Sequence, residues 1–501
     1  MDKHWLVALV AALLALAACV PVPTSAPVTP AARPDGTPAA PASGQLVRAD
    51  KQRLTTPNVA PADLAALTSG NTAFAVDLYQ ALRKSLGNFF YSPHSISLAL
   101  AMTYAGARGA TAQQMANTLH FTLPPERLHP AFDSLDLALA MRGQGAQGQG
   151  ANGFRLSLVN AIWGQTGYLF QPDFLSLLAE NYGAGLRLLD FRKAPEPSRG
   201  IINQWVNDQT EGKINDLIPQ SAIDSLTRLV LTNAIYFNAA WSSQFNKNST
   251  ANGPFTLLDN SKVTVPLMHQ SAHFAYVEGA GYQAVELPYD GERLSMVVLL
   301  PAAGQFGVFE QALDGKQVDA ILKALAPKLV VLTLPRFKTE ASFMLKDALT
   351  ALGMRDAFAA SADFSGMTGN RDFTIGAVIH KAYVSVDENG TEAAAATAVT
   401  MPTSARPETS VAFTIDRPFI FLIRDIQYSG PNKLDTVEGR AKVVKSAHAQ
   451  TLYRSFQSPS RTRTAQGRAA RIQNLSGVWR PRQSAVPVES PGAQKPAAAV
   501  R

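Results

Sequence analysis

Chemistry needs reactive side chains at defined spacing, and this sequence offers few. None of its eight histidines forms a His-Glu-x-x-His pair that could hold zinc from one helix face. Its single cysteine, Cys19, excludes an intrachain disulfide and a cysteine metal cluster. No Gly-x-Ser-x-Gly elbow presents a nucleophile, and no Gly-Lys-Ser/Thr motif cradles a phosphate. Gly143-Gln-Gly145-Ala-Gln-Gly148 has dinucleotide-fingerprint spacing. It follows a helical pattern instead of a strand, inside low-complexity sequence, so a loop is expected there. Neither a cofactor, nor a metal, nor catalytic turnover is expected.

The most unusual stretch is Gly390-Thr391-Glu392-Ala393-Ala394-Ala395-Ala396-Thr397. Alanine is the best helix former, so propensity alone favours an exposed helix. Period two gives another reading. As a strand, Thr391, Ala393, Ala395 and Thr397 share one face and all are small, while Glu392 falls on the opposite face. Such a face can slide over a packed core, where large or charged groups would stall it.

The elements around this stretch read as one domain over residues 63–446. Helical periodicity predicts helices near 72–85, 94–106, 111–118 and 201–210, with Ser69 or Asn71 capping the first. Strands are expected near 156–163, 229–237, 282–287, 294–300, 329–335, 373–386 and 411–423. Runs such as Met296-Val-Val-Leu-Leu300 are apolar throughout, as in strands covered on both faces. Helices and strands mix without strict alternation, which indicates an α+β fold.

The ends differ from this domain. Lys3 and His4 precede an apolar run from Trp5 to Ala18, so residues 1–18 read as a signal peptide. Leu16-Ala17-Ala18-Cys19 matches the lipobox of bacterial lipoproteins, which predicts a lipid anchor on Cys19 at the cell envelope. Residues 19–62 are rich in Pro, Ala, Ser and Thr and read as a flexible linker. The formal charge is +7, but residues 451–501 alone carry +8, so the remainder is close to neutral. Residues 447–501 therefore read as a basic, unstructured tail. With Tyr453, Phe456 and Trp479 as its only aromatic residues, no specific nucleic-acid partner is expected.

Four separated stretches resemble the serpin family of serine protease inhibitors. They are Asn88-Phe-Phe-Tyr-Ser92-Pro-His-Ser95-Ile-Ser-Leu-Ala-Leu with Gly106-Ala-Arg-Gly-Ala-Thr111, Leu231-Thr-Asn233-Ala-Ile-Tyr-Phe237-Asn-Ala-Ala-Trp241, His380-Lys-Ala-Tyr-Val-Ser-Val-Asp387-Glu-Asn-Gly390, and Phe413-Thr-Ile-Asp-Arg-Pro418-Phe-Ile-Phe-Leu-Ile-Arg424. The resemblance implies three β-sheets, eight or nine helices and an exposed reactive-centre loop. It makes residues 390–397 the hinge of that loop and Ser404–Ala405 the bond a target protease attacks. Ser404 lies thirteen residues after Thr391, and Ala405 thirteen before Pro418. A small residue at 404 suits elastase-like or subtilisin-like enzymes, whereas Arg406 is followed by Pro407.

The resemblance also implies that Ser92, Ser95, Asn233 and His380 form a polar cluster beneath the opening strands, and that Trp241 marks where insertion begins. Cleavage would let the hinge enter the main sheet with a serine or cysteine protease attached. The molecule is expected to be a monomer. The alternative is a non-inhibitory serpin-fold binding protein at the cell envelope. One departure is the closing segment: Gly439-Arg440 fits the family pattern, but Lys433-Leu-Asp-Thr-Val-Glu before it is polar.

Overall fold

Prolines set the helix starts. Five helices carry Pro in their first turn, where the missing N–H has no intrahelical partner to lose. The computed structural model describes residues 44–84, 87–142, 155–391, 409–426 and 440–444. Among them are ten α-helices: α1 (Pro61–Leu82), α2 (Pro93–Tyr104), α3 (Gly109–Thr118), α4 (Pro125–Ala140), α5 (Pro172–Tyr182), α6 (Pro195–Gln209), α7 (Phe306–Ala312), α8 (Gly315–Ala324), α9 (Lys346–Ala351) and α10 (Ser365–Thr368). The last two span only six and four residues, which accounts for the smaller number expected.

The first helix begins eleven residues earlier than its periodicity suggests, at Pro61. Ser69 and Asn71, expected as caps, lie inside it. Gly70 between them is a packing requirement, because a Cβ there would sit 2.3 Å from the His120 carbonyl oxygen.

The strands are β1 (Gln45–Val47), β2 (Asn88–Phe90), β3 (Arg155–Gln165), β4 (Leu186–Leu189), β5 (Leu229–Ala240), β6 (Ala251–Thr256), β7 (Lys262–Gly279), β8 (Tyr282–Pro288), β9 (Leu294–Pro301), β10 (Ala326–Pro335), β11 (Phe337–Met344), β12 (Ile375–Val386), β13 (Gly390–Thr391), β14 (Val411–Thr414), β15 (Ile420–Asp425) and β16 (Arg440–Val444). The segment expected as one strand over 411–423 is two. Asp416-Arg417-Pro418 interrupts it, since proline cannot donate to a ladder.

The ladders join into two arrays where three sheets were expected. One has the order β1-β4-β3-β5-β12-β11, with β13 also on β5. The other runs β14-β10-β7-β8-β9-β15-β16-β2, with β6 also on β7. The 18-residue β7 links what would otherwise be two sheets, pairing with β6, β10 and β8 along its length. Ile235, Phe237 and Ala239 of β5 pack with Met296, Val298, Leu332 and Phe421 of the second array, so one core cluster lies between the arrays. On the other face of β5, Val230 and Ala234 pack with Ile202 and Val206 of α6.

The expected linker ends earlier than residue 62. Gln45–Val47 pairs antiparallel with β4 at the sheet edge. The Leu54 N–H donates to the Glu180 carbonyl at 2.8 Å. Arg53 bonds Asp133 at 2.7 Å and Asp136 at 2.6 Å on α4. A backbone ladder and ion pairs hold this segment with little apolar burial beyond Val47 and Val59, which is why its composition reads as unstructured.

Candidate functional site

At the centre of the first array, β5 and β12 run parallel, paired from Ile375 opposite Leu229 to Tyr383 opposite Tyr236, with one register shift at Gly376 and an unbroken register from Ala377 onward. Both extend beyond that last rung, to Ala240 and Val386, without pairing further with each other. The chain leaving β12 turns into this open mouth. Gly390 and Thr391 start a strand antiparallel to β5, opposite Ala240 and Ala239.

The corner is built tightly. The Asp387 N–H donates to the Gly390 carbonyl at 2.8 Å, and the Gly390 N–H returns to the Asp387 carbonyl at 3.2 Å. Gly390 has φ +153°, and a Cβ there would lie 2.2 Å from the Ala239 carbonyl oxygen, so only glycine fits. Trp241, the residue after β5, clamps the corner. Its indole N–H donates to the Asp387 carbonyl at 3.0 Å and its backbone N–H to the Asn389 carbonyl at 2.9 Å. Its ring stacks on Tyr289 with centroids 4.7 Å apart and planes 6° apart.

Glu388 anchors the corner sideways. Its buried carboxylate accepts from the Thr250 hydroxyl at 2.6 Å and from the Arg336 guanidinium. Burial pushes its pKa up, but the hydrogen bonds from Thr250 and Arg336, with the Arg336 charge, outweigh that and hold it below the ordinary value. Neighbouring Asp387 goes the other way, raised chiefly by burial.

Lower on the seam lies a buried polar cluster. The Ser92 backbone N–H donates to His380 Nε2 at 3.2 Å, so Nε2 accepts and Nδ1 carries the proton. Nδ1 in turn donates to Asn233 Oδ1. Asn233 Nδ2 donates to Ser95 Oγ and to Asn160 Oδ1, and Ser95 Oγ donates to Asn160 Oδ1 at 3.2 Å. Ser92 also caps α2, accepting from the Ser95 N–H. Burial drives the His380 pKa down to about 3, so its imidazole is neutral. One ring therefore bridges α2, β5 and β12, and Asn160 ties in β3.

The structure thus brings together Ser92, Ser95, Asn233 and His380, and puts Trp241 with Gly390 at the mouth of the seam. Glu392, Ala393, Ala394, Ala395, Ala396, Thr397, Ser404, Ala405 and Cys19 lie outside the described residues, as do Gly143 to Gly148 and residues 447–501. Sequence reasoning missed Asn160, Glu388, Thr250, Arg336 and Tyr289. Asn160 had only a partial signal, an amide in the middle of a largely apolar strand; that it lies directly opposite Asn233 is seen only in the fold. Thr250 and Arg336 had none, because they reach Glu388 from distant segments.

This chain matches the family model described as Serpin (serine protease inhibitor) over residues 69–430. It is 43% identical over 371 residues to human leukocyte elastase inhibitor, covering 72% of this chain and 95% of that one. It is 42% identical over 355 residues to an uncharacterized serpin-like protein of Thermococcus kodakarensis, covering 70% and 81%. Among solved structures, it resembles the thermophilic serpin tengpin in its native state, with a TM-score of 0.69, 26% identity and coverage of 80% of this chain and all of that one. Uncleaved ovalbumin gives a TM-score of 0.66 at 25% identity, covering 76% and 100%. With a strand begun in an open seam, a neutral histidine cluster beneath it and a family match across most of its length, the chain belongs to the serpin family.

Proposed function

We propose that this protein inhibits serine proteases as a suicide substrate, by inserting its cleaved loop between β5 and β12. The observation that carries this reading is the antiparallel start at Gly390–Thr391, seated at the mouth of a parallel pair. Continued in that register, each residue forward on the loop meets one residue back on β5. Ala393 then faces Phe237, Ala395 faces Ile235, Thr397 faces Asn233 and Met401 faces Leu229 at the foot of β5. Those β5 residues are buried on the core side, so the inserted face must be small where the core is tightest. The other face meets Asn238, Tyr236, Ala234 and Val230, of which the last two lie under α6. The side of Glu392 is therefore less open to water than alternation alone indicates.

The target's nucleophile attacks the Ser404 carbonyl, forming an acyl bond to Ser404 and releasing the Ala405 amine, which takes up a proton. Insertion of the freed segment carries the acylated enzyme down the sheet before water hydrolyses the ester. Ser404 is small, and the 43%-identical human relative is named for an elastase, so elastase-like serine proteases are the proposed targets. Cysteine proteases form the same kind of acyl intermediate and are a secondary class.

Incubation with a panel of elastase-like, subtilisin-like, trypsin-like and papain-like enzymes tests this. A complex that survives SDS with the first classes is expected, together with loss of a C-terminal fragment starting at Ala405. Clean turnover by every enzyme, with no complex, overturns the proposal. We also propose export and acylation at Cys19, holding the inhibitor at a membrane surface. Labelling with radioactive palmitate should mark the wild type and not Cys19→Ala.

A further inference from the structure

Insertion has to break the β5–β12 ladder from its open end, and the rung at that end is a pair of tyrosines. Tyr236 and Tyr383 are in register as the last paired residues below the mouth. Their rings lie 6.0 Å apart across the seam, on the face opposite the histidine cluster, and both residues are buried.

Each ring carries a lysine from outside the pair. Lys213, in the segment after α6, places its Nζ 5.3 Å from the Tyr236 ring centre. Lys338 of β11 places its Nζ 4.8 Å from that of Tyr383. The segment carrying Lys213 also holds the far side of the seam, since Lys381 of β12 donates to the Asn215 carbonyl and pairs with Glu340 at 2.7 Å. Parting β5 from β12 thus separates two rings and pulls both strands from a shared strap.

We infer that the Tyr236–Tyr383 pair, with Lys213 and Lys338, is the clasp that sets the rate of loop insertion, and therefore the partition of the acyl-enzyme between trapping and hydrolysis. These are positioning residues, acting through the strands they join. The inference rests on the insertion reading above. A clasp that opens too slowly would let water release the protease, whereas one too weak would let the uncut sheet open unprompted.

The test uses a synthetic peptide of residues 391–401, which should anneal into the sheet without any protease. Tyr383→Val should accelerate annealing about tenfold, the scale expected for losing one aromatic pair and one cation–π contact. Tyr383→Phe keeps the ring and should restore the wild-type rate. Lys338→Gln alters an exposed side chain only and should accelerate annealing about threefold, keeping the inference testable if Tyr383→Val folds poorly. A smaller number of inhibitor molecules consumed per protease trapped should accompany each acceleration.

Wild-type rates in both Tyr383→Val and Lys338→Gln overturn the clasp alone. A wild type that neither anneals peptide nor traps a protease overturns the insertion reading, and the clasp falls with it.

Discussion

Cutting the loop at Ser404–Ala405 should raise the melting temperature, and the register permits an estimate. Residues 392–401 would bring ten N–H and ten C=O groups into the slot, each meeting a partner on β5 or β12. The parallel ladder they replace has eight register pairs, so the net gain is about a dozen bonds. At roughly 1 kcal/mol each, that is ~12 kcal/mol. The family match spans about 360 residues, for which an unfolding entropy of ~2.1 cal/mol/K per residue converts the gain into a rise of roughly 16 °C. Ala395→Arg supplies the control. Its side chain would face Ile235 in the core, and an unpaired buried guanidinium costs several kcal/mol, removing about half the rise. Limited proteolysis followed by calorimetry measures both. A nicked wild type that melts no higher than intact protein, or a nicked Ala395→Arg that rises equally, refutes the reasoning.

Acid should weaken the fold. His94 and His129 have pKa values lowered to about 4 by burial, and His380 to about 3. Their stabilising neutrality is complete above the unfolded value near 6.5 and is lost as pH falls toward 4 and below. At pH 5 each should cost about 2 kcal/mol, seen as a lower urea midpoint than at pH 7.5 and as partial recovery in His94→Asn. Among the described residues, Arg336→Ala leaves buried Glu388 with Thr250 as its one side-chain partner; a loss of about 3 kcal/mol is expected by thermal melting, with a change in Trp241 fluorescence, and an unchanged midpoint contradicts the anchor role. Arg53→Ala strands the buried Asp133 carboxylate; a loss of about 2 kcal/mol and faster amide exchange in residues 45–47 are expected, and undiminished protection there refutes the docking of this segment.

Much of the sheet was legible because fully apolar runs of the right length admit few alternatives. The strands at 229–240 and 294–301 fall within three residues of the expected bounds. Helix starts were less legible, since the alternation around Thr68-Ser69-Gly70-Asn71 imitates a cap although the segment is helical throughout. The polar cluster emerged through family resemblance, residue by residue. Asn160 did not, because its role depends on lying opposite Asn233, and sequence spacing does not encode registry between strands 73 residues apart. The Tyr236–Tyr383 clasp shares that origin. Two ordinary strand tyrosines acquire a role only once β12 lies beside β5.

On the proposed mechanism, that adjacency is where insertion would release energy. Reading across the sheet, β3 runs antiparallel to β5, β5 parallel to β12, and β12 antiparallel to β11. Two parallel neighbours flanked by antiparallel partners are what remains when an alternating sheet lacks one strand at the seam. A strand running opposite to both would restore alternation throughout, and β13 already points that way along β5. Parallel pairing is slightly the weaker kind, so replacing it with two antiparallel ladders gains in number and in quality. The side-chain faces survive the exchange, because a strand paired with Ala239 at Thr391 keeps every second residue toward the core. On the proposed mechanism, the rungs below the mouth would hold the uncut molecule from that state, and that is where the clasp would act.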